Sequence, residues 1–228
     1  MNILVTAGPT REPIDPVRFI SNRSSGKMGY ALAAAAAKRG HTVVLIAGPV
    51  SLQPPANTQV IHVVTAEQMR RAVRRRIRWC DALIMAAAVA DWRPAAVAKK
   101  KIKKGNRRVL RLELAPTVDI LRDVRPLKGR RLYVGFAAET GAPEKEAERK
   151  LKEKGLDLIV ANDVSRRDAG FETETNRVVL LAADGSREAW PLMSKARVGI
   201  KLVGWIERSR RARCARRSSR EKIVHDKR

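Results

Sequence analysis

Short apolar runs rich in β-branched residues alternate along this chain with stretches whose apolar positions recur at helical spacing. Residues 2–6 read as a buried strand. Residues 26–39 follow as a helix, because the run Ala33 to Ala37 favours helix and Gly40, just past a basic end, is a stop. Residues 43–47 form a second strand, so the chain opens with a β–loop–α–β unit. Such a unit implies a right-handed crossover and a parallel sheet. Thr65 with Gln68 three residues later predicts a capping box for a helix through Arg78, and residues 82–88 are the next apolar strand. A strand over 132–137, a charged helix over 144–154 and a strand over 158–161 continue the alternation. Residues 177–182 and 188–192, joined through Asp184 and Gly185, predict a terminal hairpin, with Ser194 capping a last helix. The fold class expected is α/β, a Rossmann-like and mainly parallel sheet flanked by helices and ending in a β-hairpin. No internal repeat is evident.

One segment breaks the pattern. After Asp91, Lys99, Lys100, Lys101, Lys103 and Lys104 run up to Gly105 and Asn106, before a predicted strand over 109–114. A polar, cationic stretch of this kind suits a flap, here about 92–108, that closes over a ligand. The 228 residues fit one domain over 1–206, followed at 207–228 by a basic tail expected to be disordered. The formal net charge of +25 is concentrated in Arg70 to Arg78 and in Arg208 to Arg220. Runs of like charge usually repel and solvate, and the absence of interleaved aromatics argues against single-strand nucleic-acid binding. Cys80 and Cys214 lack metal-ligand spacing and suit a reducing cytoplasm. No signal peptide is expected from residues 2–6, and no run approaches the ~20 apolar residues of a membrane span.

The loop between the first strand and first helix holds the most chemistry. It lacks a Walker loop, because Ser21 occupies the first Gly position and Met28 follows Lys27. It also lacks the dinucleotide fingerprint, because Ser24 replaces the first Gly. What remains is Ser24-Ser25-Gly26-x-x-Gly29, suited either to holding a phosphate or to capping a helix. Asn22 beside it is either a turn residue or an amide donor to an oxygen that develops charge. Asp91, just past a strand's carboxyl end, either accepts from a substrate hydroxyl or amine, holds Mg²⁺ through water, or serves as a cap or surface pair. Lys150 and Lys154 share a helix face, as a cationic rim or as solvated charges. His41, His62 and His225 are isolated and assigned no catalysis.

These residues occur in a series of motifs. Ala7-Gly8-Pro9-Thr10-Arg11-Glu12-Pro13 leads to Ser21-Asn22-Arg23-Ser24-Ser25-Gly26-Lys27-Met28-Gly29. Ala86-Ala87-Ala88-Val89-Ala90-Asp91-Trp92, Lys101-Ile102-Lys103-Lys104, Gly135-Phe136-Ala137-Ala138-Glu139-Thr140 and Ala161-Asn162-Asp163-Val164 follow. Over roughly residues 1–200 the chain resembles bacterial phosphopantothenoylcysteine synthetases, which usually form the carboxyl-terminal half of a bifunctional coenzyme A biosynthesis enzyme. The resemblance implies a cytoplasmic, homodimeric, Mg²⁺-requiring ligase that joins 4′-phosphopantothenate to L-cysteine at the expense of CTP. An acyl-cytidylate would form with release of pyrophosphate and then react with the cysteine amine, releasing CMP. It further implies that Lys101 neutralises phosphates in the first step and that Asn22 orients the acyl-cytidylate carbonyl in the second. Ala87, Asp91, Lys101, Phe136, Lys150 and Lys154 would contact CTP, as would the loop of Ala115, Pro116, Thr117 and Val118. Arg18, Asn22, Ser24 and Gly26 would line the same cleft toward substrate or phosphate, and Mg²⁺ would be held mainly through nucleotide phosphates.

Three departures stand out. Val118 takes the place of a common Pro, the usual last helix gives way to Gly199, Gly204 and the arginine run, and no flavin-binding decarboxylase half precedes Met1. The expectation is therefore a stand-alone synthetase or one domain of a bifunctional enzyme, with a decarboxylase domain or protein as partner. The competing expectation is a nucleic-acid-binding protein using its basic surface on a nucleotide fold.

Overall fold

A computed structural model describes residues 1–106, 108–139, 143–163 and 173–225. Arg107, Thr140, Val164 and residues 226–228, which fall within segments named above, lie outside them. The elements run β1 (Asn2–Ala7), β2 (Arg11–Pro13), β3 (Phe19–Ser21), α1 (Lys27–Lys38), β4 (Thr42–Ala47), β5 (Thr58–His62), α2 (Ala66–Arg76) and β6 (Ala82–Met85). After them come β7 (Trp92–Pro94), β8 (Leu114–Pro116), α3 (Ile120–Val124), β9 (Leu132–Glu139), α4 (Pro143–Glu153), β10 (Leu158–Asp163), β11 (Thr175–Ala182), β12 (Arg187–Ser194) and α5 (Lys195–His225). Eight strands form one sheet in the order β12-β11-β10-β9-β6-β1-β4-β5. The six strands from β10 to β5 are parallel, and the hairpin β11–β12 extends the β10 edge antiparallel.

The apolar runs are explained by burial on both faces, as parallel sheets require. Ile3, Val5 and Ala7 pack on one side with Leu32, Ala36, Val198 and Leu202 from α1 and α5. Leu4, Val44 and Ile46 pack on the other with Met69, Val73 and Leu151 from α2 and α4. The predicted capping box is present, with Thr65 Oγ1 accepting from Gln68 N and the Gln68 side chain accepting from Thr65 N. Ser194 Oγ accepts from Arg197 N at the start of α5.

Helix α1 approaches β1 so closely that a Cβ at Gly29 would stand 2.4 Å from Ala7 Cβ and 2.9 Å from the Thr6 carbonyl oxygen. Both partners belong to a central strand and cannot yield. Gly29→Ala is expected to destabilise the fold by about 1–3 kcal/mol, seen as a lower urea midpoint with an unchanged m value.

Two expectations are corrected. The predicted strand over 109–114 is not formed: only Leu114–Pro116 pairs, with β7, and Val109, Leu110 and Leu112 are exposed. Apolar residues alone do not make a strand when no sheet edge is beside them. The tail expected to be disordered from 207 instead continues α5 to His225. Two of its arginines find carboxylates at the amino ends of strands, Arg210 on Asp81 at 2.9 Å and Arg213 on Asp157.

Glu207 joins α5 to the end of α1. It accepts from Arg39 Nε at 2.9 Å and lies 2.9 Å from His41 Nε2. The Arg39 guanidinium above all, opposed by partial burial and assisted by His41, holds the Glu207 carboxyl down to about 2. The unfolded chain, titrating at ~4.3, takes up this proton first as pH falls. The contribution of Glu207 to stability is thus complete above that value and is lost as pH drops toward 2. Glu207→Gln is expected to lower the denaturation midpoint at pH 7 and to flatten its fall between about pH 4.5 and 2, read by urea titrations across that range.

Candidate functional site

The sheet changes direction of growth between β1 and β6: β4 follows β1 on one side, while β6 lies on the other. A crevice outside the carboxyl ends of the strands is expected at such a point. Its floor is tied together by backbone. Ala88 N donates to Gly8 O at 2.9 Å and Thr10 N donates to Ala88 O at 3.2 Å, a bridge that continues β1 against the segment after β6. Two buried threonines fix the same segment: Thr6 Oγ1 accepts from Ala87 N and Thr10 Oγ1 accepts from Ala90 N. Thr117 closes the next turn, donating its hydroxyl to Ala90 O at 2.6 Å and its N–H to Asp91 O at 2.8 Å. Asp91 is thereby set at the mouth by residues on two distant stretches of chain, 6–10 and Thr117.

A cleft of about 450 Å³ opens there, lined among others by Asn22, Ala87, Asp91, Thr117, Val118, Phe136, Lys150 and Lys154. Eight of the sequence-predicted residues thus converge from five segments. Asn22 donates its amide Nδ2 to Ala88 O at 3.0 Å, which holds the side chain over the end of β6. Lys154 is 3.0 Å from Asp119, and Lys150 is 3.6 Å from Glu146, so the α4 rim is cationic but partly compensated.

Other predicted residues fall elsewhere. Ala115 and Pro116 belong to β8 and do not line this cleft; Pro116 faces a separate cavity with Glu12 and Arg70. Their place is taken by Asp119, Ile120 and Leu121, which sequence reasoning missed. The available signal was Asp119 just before an apolar pair, a helix N-cap, and Asp119 does accept from Arg122 N at 3.1 Å. Arg18 lines a cavity of about 330 Å³ with Ile102, Lys103, Lys104 and Arg108 of the lysine-rich segment. Lys101 is exposed and lines none of these cavities. The residues expected to line a single cleft are therefore divided among several cavities.

Ser24 and Gly26 line a small cavity of about 60 Å³ that shares Ala86, Phe136, Ala137 and Ala138 with the main cleft. Gly26, at φ 79°, is the N-cap of α1, and no side chain caps that helix. Its first N–H groups point where an anion is favoured. Asn162, Asn176 and Lys195 complete the small cavity, and sequence reasoning gave none of them a role. Asn162 Nδ2 donates to Asn176 Oδ1 at 3.0 Å, while buried Asn162 Oδ1 has no partner among the described residues. Lys195, 4% exposed, donates to Thr173 O, and burial, with neighbouring Lys27 adding to it against Glu174, lowers its ammonium to about 8.

No arginine of the two basic runs is among the described residues lining the main cleft; Arg70 and Arg74, on α2, pair with Asp123. Among the described residues no three His, Cys, Asp or Glu side chains form a metal-holding group, and no helix is long and apolar enough to cross a membrane.

The chain is similar to known proteins over this whole region. It is 48% identical over 203 residues to the coenzyme A biosynthesis bifunctional protein CoaBC of Bacillus subtilis, covering 89% of this chain and 50% of that protein. It is 47% identical over 209 residues to the protein of the same name from Escherichia coli, covering 90% and 51%. The chain thus spans about half the length of these curated relatives. A crystal structure of the C-terminal domain of CoaBC superposes with a TM-score of 0.78 at 41% identity, covering 91% of this chain and 94% of that one. The family model for the DNA/pantothenate metabolism flavoprotein C-terminal domain matches residues 1–209, and the chain belongs to that family.

Proposed function

We propose that this chain ligates 4′-phosphopantothenate to L-cysteine with CTP, by way of an acyl-cytidylate, as a step of coenzyme A biosynthesis. The observation that carries the reading is the gathering of Asn22, Asp91, Phe136, Lys150 and Lys154 around one cleft at the switch point of the sheet. A carboxylate is a poor acyl donor, and its activation requires attack on the α-phosphorus with loss of pyrophosphate. That chemistry needs positioning and charge neutralisation rather than a protein nucleophile. Lys150 and Lys154 at the rim, the uncapped start of α1 and the flap lysine Lys101 supply cationic and N–H groups for the triphosphate. Phe136 offers an apolar wall.

In the second step the cysteine amine attacks the acyl carbonyl and CMP leaves. Asn22, already directed across the end of β6, is the amide placed to orient that carbonyl. Asp91 and the nucleotide phosphates fit a hard cation that keeps most of its waters, because Asp119, the other carboxylate at the cleft, is engaged by Lys154. Mg²⁺ bound there would neutralise phosphate charge. The chain is expected to act as a homodimer in the cytoplasm, its product passing to a decarboxylase domain or protein.

The test combines the purified chain with 4′-phosphopantothenate, Mg²⁺ and either CTP or ATP, with and without L-cysteine. Pyrophosphate release and product mass are followed together. Cysteine-dependent amide product with CTP is expected. Product with ATP alone would change the nucleotide assignment, and no pyrophosphate with either would shift the reading to nucleic-acid binding by the basic surface, with its steep salt dependence.

A further inference from the structure

Asp15 is a charged residue that is only 2% exposed, in the turn between β2 and β3. A carboxylate is buried at high cost unless its oxygens are fully bonded. Here they are divided between two tasks. Oδ1 accepts from Val17 N and Arg18 N, each at 2.8 Å, and so fixes its own turn. Oδ2 accepts from Arg18 Nη1 at 3.1 Å and, 87 residues along the chain, from Ile102 N at 3.1 Å.

Arg18 completes the clasp from the other side, because the same Nη1 donates to Ile102 O at 3.0 Å. Both backbone groups of Ile102 are therefore held by one ion pair. A third tie, Ala98 N to Ile14 O at 3.0 Å, fastens the entry of the lysine-rich segment to the same turn. Burial opposes the charge on Asp15, yet the N–H groups of Ile102, Val17 and Arg18 and the Arg18 guanidinium hold its carboxyl below the usual range. The clasp is ionised at neutral pH.

Ile102 directly follows Lys101, so the peptide bond joining them is pinned at its N–H. A lysine acts on phosphates as a point charge on a flexible stem, and the position of its Cα decides which phosphate it reaches. We infer that Asp15 is a positioning residue that sets Lys101, through the Ile102 N–H and with Arg18, for the phosphate-neutralising step. The inference rests on the ligase reading and on Lys101 serving its first half-reaction.

Two half-reactions separate this role from a general structural one. Asp15→Asn, which keeps size but loses the charge, is expected to slow pyrophosphate release from CTP and 4′-phosphopantothenate by about 10- to 100-fold. Amide formation from preformed acyl-cytidylate and cysteine should be unchanged. In a Lys101→Gln background the same substitution should add less than about 2-fold, because it acts through a group already removed. Equal losses in both half-reactions, full additivity with Lys101→Gln, or an unchanged first step would each overturn the inference.

If Asp15→Asn does not fold, Ile102→Pro deletes the flap donor and leaves Asp15 its other bonds. The same first-step loss, again vanishing with Lys101→Gln, is expected, and an unaffected first step overturns the inference. Absence of CTP-dependent pyrophosphate release in the unsubstituted chain would instead refute the ligase reading itself.

Discussion

Lys101→Gln is expected to reduce acyl-cytidylate formation by about 10²-fold or more, the size of effect seen when one preorganised donor to developing charge is removed. Glutamine keeps much of the side chain's length and its capacity to donate, so the loss isolates the positive charge. The segment contains five lysines; Asp15 holds the N–H of the Lys101–Ile102 peptide and Arg18 the carbonyl of the Ile102–Lys103 peptide, whereas Lys100 does not adjoin Ile102. Lys100→Gln is therefore the matched control, with an expected change below about 3-fold. Pyrophosphate release without cysteine measures the step directly. Comparable small losses at Lys100 and Lys101 would mean that the segment acts as a diffuse cationic field and that no single lysine is selected.

The success and failure of sequence reading have one physical origin. Signals within a few residues were legible: the capping box at Thr65 and Gln68, the Gly40 stop, the Ser194 cap and the burial of residues 2–6 all depend on local chemistry. The cleft residues Asn22, Asp91, Lys150 and Lys154 stand out by residue chemistry and Phe136 by motif resemblance alone, and they converge because strands β6 and β9 end beside the loop after β1. What failed depended on partners far away in sequence. The arginines at 210 and 213 look like a solvated run until Asp81 and Asp157 are brought beneath them. Strand β5 follows a Pro-rich approach and has only partly buried apolar residues, so its existence depends on pairing with β4. Lys195 resembles an ordinary helix-start lysine, and only the packing of β11 and α5 reveals a buried ammonium beside the small cavity. Of the loop that the resemblance implies over Ala115 to Val118, Ala115 and Pro116 are drawn into β8 by pairing with β7, which leaves Thr117 and Val118 at the cleft.

Asn22→Asp is expected to leave pyrophosphate release largely intact while slowing amide formation by about 10²-fold, so that acyl-cytidylate accumulates. The native amide donates Nδ2 to Ala88 O at 3.0 Å and lines the cleft on the same side as that carbonyl. A carboxylate can donate to neither, and it places negative charge where the acyl oxygen becomes negative as the cysteine amine attacks. Asn22→Ala separates these effects, since it removes the donor without adding charge. The expected rates of the second step fall from Asn to Ala to Asp. Quenched samples analysed by mass would show the intermediate rising and then persisting in Asn22→Asp, with cysteine present. Loss of the first step in both variants would assign Asn22 to the scaffold of the cleft, because its bond to Ala88 also steadies the segment that carries Asp91. Amide product at the native rate without any stored intermediate would remove Asn22 from the mechanism altogether.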